Sequence, residues 1–441
     1  MTATDVTLDE SLVRRIRAAV ATGLTEQTSA ALASGGRKLD GEDQAALARS
    51  LINEQLERHA EECLARHEPV LTADGEAALA QAVYDRIFQL GRLQPLLDDE
   101  RIMDIHANGC DVVFVGYADG TKAAGPAIAA SDAEMIELLR EIGRRHGLTE
   151  REFNASRPQL NVQLPDGSRL FATAWVCGRP CLAIRRHRYL KVDLADLQGL
   201  GAIDLGLASF LGAAVRARKQ LMIAGSTGAG KTTMLRALAS EIPVHERIVT
   251  IETELELGLD RFPEIHPDCV ALEAREANVE GIGEVTAAEL VRMSLRMDPD
   301  RVIVGEVRGD EVIPMLNAMS QGNDGSMCTI HADSSSGVFR KLALYAMQSP
   351  ERLPMDATLL LAAAAIDLLV FIAKTSSGRY VASVRQVTGF DGKQVITNEL
   401  FRPGPDGRAV PGTPIPIDLV DELAAAGYDP TLHDNPSGWW R

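Results

Sequence analysis

Between residues 204 and about 375 the chain alternates short apolar runs with longer amphipathic ones. QLMIA, RIVTIE, RVIVGE and SMCTIH are compact and rich in β-branched or aliphatic residues, and they predict buried strands. TTMLRALASEI, TAAELVRMSLRM and EVIPMLNAMSQ lie between them and carry apolar residues at helical spacing. That alternation is the sequence form of an α/β sheet domain. RYVASVRQV and QVITNEL predict an antiparallel hairpin at one edge of the sheet. Upstream, helix-like DGEAALAQAVYDRIFQL, strand-like DVVFVGY and a helix near 133–146 alternate less regularly. NVQLPDGSRLFATAWV reads as a hairpin turning at Pro165-Asp166-Gly167. CLAIRRH reads as a strand with Arg185, Arg186 and His187 at its exit. Residues 1–75 are polar and helix-like, with a break at Gly35-Gly36. Residues 188–203 read as a connector, and the prolines from Pro403 to Pro416 predict a loop-rich tail. The expected organisation is a helical segment 1–75, an α+β domain 76–190, an α/β domain 191–403 and a tail 404–441.

Composition narrows the function classes. Apolar residues make up 46% of the 441 residues but aromatics only 4%, so the cores must be Ala, Leu, Val and Ile. The net charge of -17 argues against direct nucleic-acid binding, which depends on neutralising phosphate. The six cysteines are scattered without a CxxC pair, so no disulfide framework is expected. His59, Cys63 and His67 share a helical face but lack a fourth ligand, so no metal is expected there. MTATDVTLDESLVRRIR has no signal-peptide core, and the apolar stretch from Leu359 to Ala373 carries Asp367 and is too short to span a bilayer. A cytoplasmic protein, peripheral to the membrane at most, is the expectation.

The strongest chemical signal is LMIAGSTGAGKTTMLRAL. Gly225 to Thr232 fit G-x-x-x-x-G-K-[ST] at every fixed position, after an apolar strand and before a helix. Glycines there let backbone N–H groups converge on phosphate oxygens, aided by the positive end of the helix. Ser226, Thr227, Gly228, Ala229, Gly230, Lys231, Thr232 and Thr233 are the expected ATP-binding residues. Lys231 would reach the β- and γ-phosphates, and Thr232 would ligate Mg²⁺. Hydrolysis also needs carboxylates, and two strand ends offer them. One is IVTIETELEL, with Glu252, Glu254 and Glu256; the other is DRVIVGEVRGDE, where Gly305 takes the place expected for Asp and Glu306 follows.

Taken in order, these motifs resemble the secretion ATPases of the type II/type IV secretion and type IV pilus superfamily. They look closest to the Tad/CpaF pilus-assembly branch. LGRLQPLLDDERIMDIHANG, LPDGSRL and LAIRR carry the resemblance upstream, and QGNDGSMCTIHA carries it downstream. A four-cysteine insertion seen in many type II members is absent, which favours the Tad/CpaF or conjugative branch. The resemblance implies a RecA-like ATPase domain preceded by an α+β, PAS-like domain. It implies a homo-hexamer that works on an integral-membrane platform protein to power pilus assembly or protein secretion. It implies that Glu306 stands near Mg²⁺, that Glu256 orients or deprotonates the attacking water with Glu252 in support, and that His331 senses the γ-phosphate. Arg169, Arg185 and Arg186 would approach phosphate from the N-terminal domain. The chain departs from the family pattern at Thr253, where Asp is usual, and at Asn323, where His is usual. Both departures bear on the rate of hydrolysis, and an alternative reading is a nucleotide-gated subunit that hydrolyses poorly.

Overall fold

The computed structural model describes residues 9–33, 41–88, 90–117, 120–146, 153–186, 191–277, 281–375 and 378–434. The Gly35-Gly36 break and His187 lie outside the described residues. The chain divides into a unit of residues 1–186 and a unit of residues 187–441.

The first unit opens with helices Glu10–Ala33, Gly41–Ala65 and Ala73–Phe88. Val13, Ile16 and Val20 on the first, Ile52 on the second, and Leu79 and Val83 on the third form one apolar cluster. Their spacings of three, four and seven residues put each set on one helical stripe. The helical part therefore runs to Phe88 rather than ending at residue 75, because the third helix closes this cluster. Beyond it lies an antiparallel sheet of β1 (Ile102–Asn108), β2 (Val113–Tyr117), β3 (Lys122–Gly125), β4 (Gln159–Gln163), β5 (Arg169–Thr173) and β6 (Cys181–Arg185). Its order is β3-β2-β1-β6-β5-β4. Alternate residues such as Ile105, Val115, Leu170 and Ile184 are buried with Met135, Leu139 and Ile142 of the helix Asp132–His146. The expected turn is present: Leu164 N donates to Ser168 O at 2.7 Å, and Gly167 takes φ +86.

The second unit holds a sheet of nine strands: β7 (Leu221–Gly225), β8 (Ile248–Glu252), β9 (Cys269–Glu273), β10 (Arg301–Val307), β11 (Met327–His331), β12 (Leu368–Thr375), β13 (Gly378–Phe390), β14 (Val395–Pro403) and β15 (Ala409–Pro411). The order is β15-β14-β13-β12-β7-β11-β10-β8-β9. From β12 to β9 each neighbouring pair is parallel, and β13 to β15 continue antiparallel. The carboxyl ends of the parallel strands thus share one edge, where α/β sheets present their ligand sites. Helices Leu205–Arg216 and Lys231–Ala239 share one apolar cluster, and Ala287–Ser294, Val312–Ser320, Val338–Gln348 and Met355–Ala365 contribute to another.

The stretch expected as a loop-rich tail is structured. It supplies β15 and the helix Ile417–Ala425, whose Leu419 and Leu423 are buried in the same cluster as Phe210. The Tyr428 ring meets Phe210 edge-on at 5.6 Å. Prolines at the turns masked an amphipathic i, i+4 pair. Among the described residues no helix is long and apolar enough to cross a membrane.

Candidate functional site at the carboxyl edge of the parallel sheet

The strand order sets out the site as a row. β7 ends in the glycine loop, β11 beside it ends in His331, β10 in Gly305 and Glu306, and β8 in Glu252. Gly225 must lack a side chain, because a Cβ there would sit 2.7 Å from the Ile372 carbonyl of β12. Gly228 and Gly230 take φ +70 and +97, conformations that other residues rarely adopt. Gly230 caps the helix Lys231–Ala239 and leaves its first turn without a side-chain acceptor. Those N–H groups, the helix dipole and Lys231 converge as an anion-binding set.

Lys231 is nearly buried, with 7% of its surface exposed. Its Nζ donates to the Gly225 and Ser226 carbonyls, each at 3.3 Å, and to His331 Nδ1 at 3.0 Å. An ammonium only donates, so Nδ1 is the acceptor and His331 keeps its proton on Nε2, facing Glu306 Oε1. Burial holds the His331 pKa below its usual value, against the pull of Glu306. Arg308 closes the row by pairing with Glu306 Oε2. A phosphate oxygen is a better acceptor for Lys231 than carbonyls at 3.3 Å. The Thr232 hydroxyl and the Glu306 carboxylate are the hard oxygen donors that Mg²⁺ prefers, so the residues present fit both expected groups.

Glu252 is 5% exposed, and its Oε2 accepts from the N–H groups of Glu256 and Leu257 at 2.9 Å each. Buried Arg236 holds the same two residues from the other side, through the Glu256 and Leu257 carbonyls. Glu252 and Arg236 therefore fix the backbone that carries the half-buried Glu256. Gly305 leaves room for Glu252: a Cβ there would meet Glu252 Cγ at 2.9 Å.

Burial raises the Glu252 carboxyl to about 7, opposed by the Leu257 and Glu256 N–H groups. A folded pKa above the unfolded 4.5 means the folded chain holds a proton that the unfolded chain has lost. The stability this proton contributes is full below pH 4.5 and is lost as pH rises to about 7. The shift corresponds to ~3 kcal/mol. Glu252→Gln stays neutral and keeps an acceptor oxygen. Thermal unfolding between pH 5 and 8 should show its stability falling less than that of the wild type. Parallel curves would contradict the assignment.

The two departures from the family pattern lie at opposite edges of the sheet. Thr253 directly follows Glu252 at the carboxyl end of β8 and is exposed. Asn323 donates to the Pro299 carbonyl at 3.0 Å, and its own carbonyl accepts from Gln220 and Ser326. These partners sit at the amino edge of the sheet, the length of β11 from His331, about 13 Å. There the fully buried Arg301 forks onto Glu246 at 2.6 and 3.2 Å.

The three arginines belong to the first unit. Arg169 and Arg185 stand directly opposite on β5 and β6, with Asp104 opposite Arg185 on β1. Arg186 is engaged in its own unit, donating to Asp99 O at 2.7 Å and Ile102 O at 3.3 Å. Several residues escaped the sequence reading. A cleft of about 760 Å³ opens over Ser226, Thr227 and His331 and is walled by Asp333, Arg340 and Lys341. The signal for Arg340 and Lys341 was a basic pair following the His331 motif. The signal for Arg236 was a single charge inside the apolar run of its helix.

Comparison with known proteins shows the family. Residues 92–376 match the family described as type II/IV secretion system protein. A putative conjugal transfer protein of Mycobacterium tuberculosis is 36% identical over 313 residues, covering 68% of this chain and 85% of that protein. The type IV secretion system protein VirB11 of Brucella suis is 31% identical over 340 residues, covering 70% of this chain and 92% of that protein. The solved structure of the Legionella pneumophila ATPase DotB has a similar fold, with a TM-score of 0.50 at 18% identity over 68% of this chain and 80% of that one. The chain belongs to the type II/IV secretion system protein family.

Proposed function

We propose that this protein is an ATP-hydrolysing motor, working as a homo-hexamer on an integral-membrane platform protein of a secretion or pilus machine. The observation that carries the reading is the row Lys231, His331, Glu306, with Glu256 held by Glu252, on one edge of a parallel sheet. The second unit is then RecA-like and the first PAS-like. The glycine loop and Lys231 hold the phosphates of ATP, and Thr232 and Glu306 hold Mg²⁺. Bound there, Mg²⁺ supplies charge neutralisation to the phosphates. Glu256 orients or deprotonates the attacking water. Glu252 acts through the backbone of Glu256 and is a positioning residue. His331 links Lys231 to Glu306, so a change at the phosphate end reaches the end of β10. Arg169, Arg185 and Arg186 would serve as arginine fingers to the phosphates across a domain or subunit boundary. Asn323 lies at the amino edge, outside this machinery, which removes one of the two grounds for the hydrolysis-impaired reading; Thr253 stays beside Glu252.

The motif resemblance points to Tad/Flp pilus assembly. The Mycobacterium tuberculosis relative, a putative conjugal transfer protein, favours the conjugative branch instead. Neighbouring genes for two polytopic platform proteins and a small pilin would decide for the pilus. The protein would then be cytoplasmic, drawn to the membrane by its platform partner. Light scattering on a sizing column tests the ring: a non-hydrolysable ATP analogue should shift the full chain to a hexamer. A monomer at every analogue concentration would contradict it.

A further inference from the structure

β12 and β13 fold back along the outer side of the phosphate loop. Lys374 and Arg379 stand directly opposite one another in their register. Like charges across a strand pair destabilise it. Both side chains are exposed, and among the described residues neither has a carboxylate partner. The two cations straddle a single residue of the loop. Arg379 Nε donates to the Gly228 carbonyl at 2.8 Å. Lys374 Nζ lies 3.2 Å from where a Cβ on Gly228 would be. Ala229 N donates to Ser226 O at 3.2 Å, so the Gly228–Ala229 peptide is held at both ends.

The strand order decides which part of a ligand they face. β11, β10 and β8, with His331, Glu306 and Glu252, lie on one side of β7, and β12 lies on the other. The groups for bond cleavage occupy the first side. We propose that Lys374 and Arg379 form an anion clamp for the non-reacting end of the nucleotide's phosphate chain, with Arg379 also positioning the loop peptide. This deepens the ATP-site reading and rests on it. A clamp on the non-reacting end binds ground and transition states alike, so its loss raises KM and leaves kcat.

The test measures ATP turnover and ADP binding for wild type, Lys374→Ala, Lys374→Glu, Arg379→Ala, Arg379→Lys and Lys231→Ala, with melting temperatures to report folding. Lys374→Ala should raise the ATP KM and the ADP Kd together by about five- to tenfold, the scale of a lost charge-assisted contact, with kcat within about twofold. Lys374→Glu should raise both further. The Lys374 effects should shrink as salt rises from about 0.05 to 0.3 M, because screening weakens exposed charges. Arg379→Ala should raise KM similarly, and Arg379→Lys should recover part of it by restoring the charge. A merely structural role would not produce that salt dependence. Unchanged KM and ADP Kd in Lys374→Glu at low salt, with wild type binding normally and Lys231→Ala not, would overturn the clamp and leave the ATP site standing. Wild type that binds no nucleotide would overturn both.

Discussion

Lys231→Ala is expected to reduce ATP turnover to background, at least about 10²–10³-fold, the scale of losing one preorganised donor to developing negative charge. The loss is large because Lys231 has no substitute at its position. Among the described residues its ammonium is the cation at the loop that also contacts His331, at 3.0 Å. Removing it deletes the phosphate contact and leaves His331 Nδ1 without its donor. It also removes the link between the loop and Glu306. Folding should survive, because the register of Gly225 against Ile372 is part of the β7–β12 backbone ladder and does not depend on the ammonium. Phosphate release and a melting curve on the same sample check both parts. A variant that turns over ATP at more than a tenth of the wild-type rate would contradict the role of Lys231.

Gly305→Ala is expected to cost nearly as much, although Gly305 carries no chemistry. The added methyl would sit 2.9 Å from Glu252 Cγ and 3.2 Å from Glu252 Oε2. Glu252 cannot swing away into solvent, because it is 5% exposed between β8 and the loop it holds. The Glu252 bonds to the N–H groups of Glu256 and Leu257 must therefore lengthen, and Glu256 moves with them. Overpacking of this kind costs about 1–3 kcal/mol of stability. A catalytic group misplaced by about 1 Å can cost a factor of about 10² in rate. Glu252→Ala gives the space back, so the double variant should lose less than the sum of the two singles. Strict additivity, or a fully active Gly305→Ala, would show that Glu252 does not position Glu256.

Features set by local spacing were legible in the sequence. The phosphate loop is contiguous, and each fixed position does a local job, so Gly228, Gly230 and Lys231 could be assigned from eight residues. The charges of DRVIVGEVRGDE were legible as a site but not in detail. Glu306 reaches His331, Arg308 pairs with Glu306, and Glu311 accepts from the N–H of Gly309, so less of the charge faces solvent than the pattern implied. The reason for a glycine at 305 was not legible, because its neighbour Glu252 comes from β8, far away in sequence. Asn323 was misread for the opposite reason. It is near His331 in sequence, but a five-residue strand carries the two to opposite edges of the sheet. The helix Ile417–Ala425 was missed because neighbouring prolines outweighed the spacing of Leu419 and Leu423. The partners of Arg236 and Arg379 were not legible because they are backbone carbonyls, which no motif records.

The most direct test of the account is phosphate release from ATP by the full-length protein with Mg²⁺, measured beside the same protein in chelator and beside Glu256→Gln. Loss of a general base typically costs about 10²–10⁴-fold. The account predicts turnover by the wild type with Mg²⁺ only, a drop of that size in Glu256→Gln, and ATP binding retained by the variant. A wild type no faster than Glu256→Gln would contradict it.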